Sequence, residues 1–525
     1  MSGSVPTSVP ASAPTSAPDL SVLDVRPPPG QPRPYQFPRF ERTRLSSGMT
    51  LITAHVEGRP LLAAQLLLAA GGDSEPAEQA GVSALTARAL PEGTATLGAV
   101  EFTEAAERLG AEIHAEASWE ALTASLEVPR SRFAPALGLL AQMVRAPALP
   151  EREVERLRDE RINDLHQVWL DPRRRAERVF AETIYSSQSA YSRPLGGVLE
   201  TVERLGREQV VARHRAALAG QSPTLVVAGD LTGLDVVRLV EEHDWSGASG
   251  GAGTGSATTL DGAATAAAAG DGPRIVVVDR PAAPQSEIRI GHVGLSRRTP
   301  DFHAVSVLNA ILGGTFGSRL NRLIREERGY SYGVHSAFEM RRAAGPFAVR
   351  MAVETVHTLP ATIETLGVLR AMTEQPPTAE EMDVSRDYLI GVFPLRFEAA
   401  SQVAAALSGL VVHGLPDDEL DRYRPSIAAV SADDVLDAGR TWRRPICRSS
   451  SSAMRRRSSR RFGRPSSGRS ASSATTRRSL DRRRRPPCAR RQRRARRRGR
   501  TRRAGGGRHR RARRAGRQRW RRSRR

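Results

Sequence analysis

The stretch "GGTFGSRLNRLIREERGYSYG", from Gly313 to Gly333, gathers glycines, arginines and two tyrosines into a short space. Glycines as close as Gly313, Gly314 and Gly317 could let backbone N–H groups approach a phosphate at a helix start. The lysine and Ser/Thr that complete such a loop are absent, and the spacing does not fit a dinucleotide fingerprint. Next along the chain comes an apolar i, i+3, i+4 face of Leu320, Leu323 and Ile324, with Asn321, Arg322, Arg325, Glu326 and Glu327 elsewhere. Gly329 stands where a left-handed cap would end the helix. The segment therefore reads as glycine turn, short helix, glycine stop and strand.

Metal chemistry finds little support in the histidines. There are eleven, and the closest pair, His292 and His303, lies outside helical ligand spacing. A single histidine such as His114 or His166 reads as a surface or helix-face residue. Both cysteines, Cys447 and Cys488, fall near the C-terminal end, so the body of the chain is expected to carry no disulfide or thiolate chemistry.

The elements that must position these residues lie in a chain of uneven composition. A formal net charge of +24 suggests a nucleic-acid binder. The distribution of charge reverses that impression. From Thr441 onward there are 37 arginines and one acid, Asp481, leaving 43 basic and 55 acidic residues before it, a net of −12. No lysine occurs. Residues 446–525 are arginine-rich, with too little apolar content to bury a core. They read either as a polybasic arm for nucleic acid or as GC-rich DNA translated out of frame. Residues 1–34 form a Pro/Ser/Ala-rich leader without the apolar run of a secretory signal. No stretch reaches the roughly 18 to 20 apolar residues of a membrane span, so the expectation is a cytoplasmic protein with no membrane partner.

A Gly/Ala/Ser linker, 246–273, divides the body into halves 35–245 and 274–445. "MTLITAHV" and "LLAAQLLLAA" open the first half with strand patterns, as "RIVVVDR" and "SEIRIGHVGL" open the second. Helical patterns come after them, among them 151–168 and 378–408. This order predicts a duplicated α+β unit, two homologous α/β-sandwich domains with mixed sheets covered by helices. The duplication has one gap. "VERLGREQVVARHRAAL" leads into the strand "PTLVVAGDL", whereas "IAAVSADDVLDAGRTW" leads into "RRPICRSSSSAMRRRSS". A core strand is missing, which favours a frameshift near Arg443 to Pro445 and a truncated second domain.

The succession "LSSGMTLITAHV", "AAGGDSEP", "AGVSALTARALPEGT", "ERLGAEIHAEASWEALTASLEVP" and "LNAILGGTFGSRLNRLIREERGYSYGVHSAF" resembles the pitrilysin or insulinase type of zinc peptidase. It is most similar to the bacterial two-domain relatives of the mitochondrial processing peptidase, over about Arg39 to Pro445. That resemblance implies half of a four-domain clamshell and an H-x-x-E-H motif on a first-domain helix. There two histidines hold Zn²⁺ and the glutamate serves as base for its water. In this register Ala84 and Arg88 replace the histidines, Ala87 replaces the glutamate, and Asp164 falls at or near the downstream ligand position. The resemblance also implies that Arg325 and Tyr332, seven residues apart, reach toward a peptide bound at a zinc site. A guanidinium and a phenol can hydrogen-bond its carbonyl oxygens, and the phenol can help hold an oxyanion.

The expectation is thus a chain with no cofactor of its own. It would be the non-catalytic, peptide-binding subunit of a heterodimer whose homologous partner carries the zinc. Two alternatives stand beside it. One is a peptide-holding or structural relative without proteolysis, and the other a nucleic-acid binder acting through the arginine-rich tail.

Overall fold

The computed structural model describes residues 30, 32–58, 60–220, 222–243, 245 and 275–442, all within one compact unit. The leader, the linker and the arginine-rich tail lie outside the described residues, apart from residues 30 and 32–34. In the first half the chain runs through β1 (Phe40–Arg44), β2 (Thr50–His55) and β3 (Leu61–Leu68), then α1 (Val82–Ala89) and α2 (Ala99–Leu109). It continues with β4 (Glu112–Ala117), β5 (Leu122–Pro129), α3 (Phe133–Arg145), α4 (Glu151–Leu170), α5 (Pro172–Ile184), α6 (Leu199–Val202), α7 (Arg207–Ala219), β6 (Thr224–Gly229) and α8 (Val236–Glu241). The sheet order is β1-β2-β6-β3-β5-β4. β6 lies between β2, to which it runs parallel, and β3, to which it runs antiparallel.

The sheet is buried on both faces, which is why β3 reads as a nearly unbroken apolar run rather than an alternating one. One face packs against α1, α2, α3 and α7, with Leu51, Leu66, Leu126, Phe133 and Leu140 in that core. The other face presents Ile52, Ala54, Ala63, Val226 and Ala228 to a helix of the second half.

That half contains β7 (Gln285–Val293), α9 (Phe302–Asn309), β8 (Val334–Phe338) and β9 (Pro346–Glu354). Beyond them lie α10 (Thr358–Glu374), α11 (Ala379–Val392), α12 (Ala400–His413), α13 (Glu419–Ala429) and α14 (Ala432–Trp442). The sheet order is β7-β9-β8. The sequence of elements repeats that of the first half from β3 through α7, as the duplicated α+β reading requires.

The halves exchange helices. α12 lays Val403, Ala404, Leu407 and Leu410 on the first sheet, and the Ser408 hydroxyl donates to Gln65 Oε1 at 2.8 Å. In return α5 lies on the second sheet, where its Glu177 accepts from Arg289 of β7 and Arg350 of β9 at 2.6 and 3.0 Å.

Two sequence expectations are corrected. The helical pattern over 378–408 is two helices bent by 111°, broken where Pro394 removes a backbone donor and a short 3-10 turn, Pro394–Phe397, intervenes. "RIVVVDR" is not a strand: Ile275 to Arg280 are exposed and outside either sheet. Among the described residues no single helix is long and apolar enough to cross a membrane.

Candidate functional site

α1 carries Ala84, Ala87 and Arg88, the positions that the resemblance assigns to the metal motif. Its start is fixed by Glu75, whose carboxylate accepts the N–H groups of Gly81 and Ser83 at 2.9 and 2.6 Å. An acid at a helix N-terminus satisfies otherwise unpaired donors and complements the helix dipole. Arg213 of α7 clasps the same corner, donating to Ser83 Oγ, Gly71 O and Ser74 Oγ at 2.9, 2.7 and 2.7 Å. Thus the scaffold that presents the motif is fully built.

The motif itself has changed character. Ala84 is half-buried, Ala87 is buried and Arg88 points outward, its guanidinium 2.8 Å from Glu160 on α4. Glu160's other oxygen accepts from Arg156 at 2.6 Å, and Arg156 in turn binds Glu92 and Glu153. Asp164 is paired with Arg161 and accepts from Arg174 at 2.7 and 2.9 Å. Hydrogen bonds from Arg174 to Asp164 and from Arg156 to Glu160 hold both carboxyls below their ordinary range. Every carboxylate oxygen at these two positions is engaged by a guanidinium. Alanine offers no lone pair and arginine repels a cation, so these residues do not fit Zn²⁺. No group of three or more His, Cys, Asp or Glu among the described residues could hold a metal.

The Gly313–Gly333 segment is equally well built, for another purpose. The chain winds in wide π-helical turns at Ala310–Gly314 and Asn321–Glu327, and such bulges recur at functional sites. A Cβ on Gly313 would meet Ser336 Oγ at 2.7 Å, and one on Gly314 would meet Asn309 Nδ2 at 2.7 Å, so those two glycines permit close packing. Gly317 has open space around it, and no packing reason requires glycine there. Gly329 adopts φ +62°, the left-handed stop expected from sequence.

Arg325 is mostly buried along its stem, with its guanidinium 3.4 Å from the centre of the Phe316 ring and 2.5 Å from Glu326. Tyr332 is 97% exposed in the turn before β8, not the half-buried strand aromatic that a purely structural role would make it. Phe316 is itself 75% exposed, so Phe316 and Tyr332 stand out while Arg325 packs beneath the Phe316 ring. Asn321 sets that base, donating to Thr315 O and Val334 O and accepting from Val334 N at 3.0, 2.8 and 3.1 Å. In sequence Asn321 reads as one more polar helix-face residue. Its signal was a lone amide beside an apolar i, i+3, i+4 stripe. No hydrogen bond, ion pair or ring contact among the described residues joins Arg325 or Tyr332 to α1 or α4.

A second cluster, also unread in sequence, ties the halves together. Buried Glu120 accepts from the Tyr191 hydroxyl at 3.3 Å and from Arg342 N at 3.1 Å. Arg341 lies over the Trp119 and Tyr191 rings at 4.7 and 4.5 Å. Beside them burial pushes Asp73 up to about 6, against opposing attraction from Arg342. The native chain then keeps a proton that the unfolded chain releases between pH 4 and 6, so stability falls as pH rises through that window. Asp73→Asn is expected to remove this slope in chemical denaturation and to stabilise the chain at pH 7.5 by about 1–2 kcal/mol.

A duplicated unit with exchanged helices, an inverted-motif helix and a glycine-rich second-half segment defines the insulinase class of fold. The chain belongs to that family: residues 51–196 match the insulinase (peptidase family M16) domain and residues 204–389 the peptidase M16 inactive domain. It is a family member in which the zinc motif is lost. An uncharacterized zinc protease of Mycobacterium bovis is 26% identical over 383 residues, covering 71% of this chain and 83% of that protein. The non-peptidase homolog YmxG of Helicobacter pylori is 22% identical over 351 residues, covering 66% and 78%. Among solved structures, a peptidase M16 inactive domain from Pseudomonas fluorescens superposes with a TM-score of 0.66 at 23% identity, over 77% of this chain and 95% of that one. A protease from Helicobacter pylori reaches 0.69 at 16% identity, over 78% and 97%.

Proposed function

We propose that this chain is the non-catalytic, peptide-binding subunit of a heterodimeric zinc peptidase, offering Arg325 and Tyr332 to a peptide whose cleavage is performed by a homologous, zinc-bearing chain. One observation carries the reading. Tyr332 projects from a hydrogen-bonded base with Arg325 packed beside it under Phe316, while Arg88 stands at one of the assigned motif positions and guanidiniums engage Glu160 and Asp164. The match to an inactive-domain model and the similarity to a chain named a non-peptidase homolog support it. The phenol, fully solvated in this chain, would be free to donate to a carbonyl or oxyanion on a peptide held between two such chains. The two halves, joined by the linker, would act as one rigid half of an enclosing shell.

The test is metal analysis of the purified chain, followed by peptide cleavage with this chain alone and mixed with a homologous chain that retains H-x-x-E-H. The expected result is no stoichiometric zinc, no cleavage alone, and cleavage in the mixture above that of the partner by itself. Stoichiometric zinc or solo cleavage would defeat the proposal. Peptide binding without any gain of cleavage in the mixture would favour the holding or structural reading instead.

A further inference from the structure

The two sheets, built from one duplicated pattern, have six and three strands among the described residues, and the second has no counterpart of β6 there. In the first sheet, Leu51 to His55 of β2 pair with Leu225 to Gly229, and Leu62 to Leu67 of β3 pair with Gly229 to Thr224. Aligning the strand ends that precede the two short 3-10 turns, Pro129 of β5 with Glu354 of β9, makes Ser286 to Gly291 of β7 the counterparts of Leu62 to Leu67. Five residues separate His55 from Leu61 and five separate Asp279 from Gln285, so Ile275 to Asp279 correspond to Leu51 to His55. Among the described residues β7, the counterpart of β3, is the edge strand of the second sheet, and Ile275 to Asp279, the counterpart of β2, pair with no strand.

The burial of matched residues shows the consequence. Leu51, Ile52 and Ala54 are at most 1% exposed, whereas Ile275, Val276 and Val278 are 55, 53 and 41% exposed. The covering helices differ in the same sense. α12 buries five residues against the complete sheet, while α5, its counterpart on the second sheet, has none fully buried. An open strand edge is a template for pairing with another extended chain, and Ile275 to Asp279 are an exposed, mostly apolar segment that belongs to neither sheet.

We propose that this open edge is a strand-acceptor site. It takes an extended, apolar segment of six residues from another polypeptide, antiparallel to Ser286–Gly291 and parallel to Ile275–Asp279. β6 itself, "TLVVAG", states what fits: β-branched and aliphatic residues, all but the first buried, with no proline. This chain does not supply an equivalent at the matching distance beyond α14, where Cys447 to Ser452 read "CRSSSS". The site is distinct from the Arg325 and Tyr332 surface and does not depend on the subunit reading.

The probe is a fluorescent peptide copying Ser222 to Leu231, "SPTLVVAGDL", flanked by charged residues for solubility, titrated into the full chain and followed by anisotropy. Saturable binding is expected, and a peptide with Val226→Pro should bind at least about tenfold more weakly because it loses a ladder donor. Val276→Asp/Val278→Asp should weaken binding to a similar extent, since pairing would bury the new charges. Both positions are exposed in the free chain, so its melting temperature should be unchanged, which separates loss of the site from loss of the fold. No saturable binding, or equal affinity of the proline peptide and the charged variant, would overturn the proposal. A concentration-dependent dimer that the charged variant abolishes and the peptide cannot displace would overturn it in favour of a second copy as occupant.

Discussion

Replacing Tyr332 by phenylalanine is expected to cut peptide cleavage by the mixed enzyme about 10²-fold while leaving this chain's stability unchanged. Its side chain is almost wholly solvated, so removing the hydroxyl breaks no internal contact. The stated role is transition-state hydrogen bonding, and loss of one oxyanion donor typically lowers kcat by 10²–10³, or about 3–4 kcal/mol. Arg325→Ala should act differently. It removes a contact to the bound peptide and also the face-on packing against Phe316, so KM should rise with kcat nearly unchanged, and the melting temperature should drop slightly. Steady-state kinetics of the mixture, with thermal melts of this chain alone, separate the two effects. Full activity with Tyr332→Phe/Arg325→Ala would remove these residues from the mechanism.

Asn321→Ala should destabilise the chain by about 3 kcal/mol, the largest single loss expected in the glycine-rich segment. The side chain is buried and satisfies Val334 N–H, Val334 C=O and Thr315 C=O. Alanine would leave buried backbone groups unpaired, at about 1–3 kcal/mol for each such group that water cannot reach. The same bonds fasten Asn321–Glu327 to β8 across the turn that bears Tyr332. Cleavage by the mixed enzyme should therefore fall even at temperatures where the variant remains folded, which Tyr332→Phe/Asn321→Ala would test: little further loss beyond Tyr332→Phe is expected, because both act through one group. Urea denaturation measures the first effect and kinetics the second. A loss below about 1 kcal/mol would show that water replaces the amide.

The strand acceptor and the subunit role divide the second half between them. The wide-turn segment bearing Arg325 and Tyr332 connects α9 to β8, whereas the open edge belongs to β7, on the other side of β9. A peptide that fills the acceptor would stabilise the whole half by completing the surface under α5. Failure of the peptide titration would leave the cleavage experiment untouched, and the reverse also holds.

Local patterns settled a good deal without any structure. Apolar runs bounded by turn residues marked β3 and β6, because a strand buried on both faces must be apolar throughout, and mixed patterns marked β2 and β7. Periodicity marked α4, and a single glycine marked the stop at Gly329, since L side chains rarely adopt that φ. At Ala84, Ala87 and Arg88, the positions that the resemblance assigns to the motif, the residue types alone offer no lone pairs for coordination.

Other features depend on partners distant in sequence, and no local pattern could disclose them. "RIVVVDR" has every strand preference, yet strand preference is realised only against a neighbour, and the neighbour that β2 finds in β6 has no counterpart for Ile275 to Asp279 among the described residues. The grip of Arg156, Arg161 and Arg174 on Glu160 and Asp164 joins α4 to itself and to α5, turning acids that could have faced a cation into ion-pair partners. The exchange of α5 and α12 and the Glu120 cluster between halves are likewise products of assembly. Composition says which groups a chain owns; folding decides which of them remain free to meet something else.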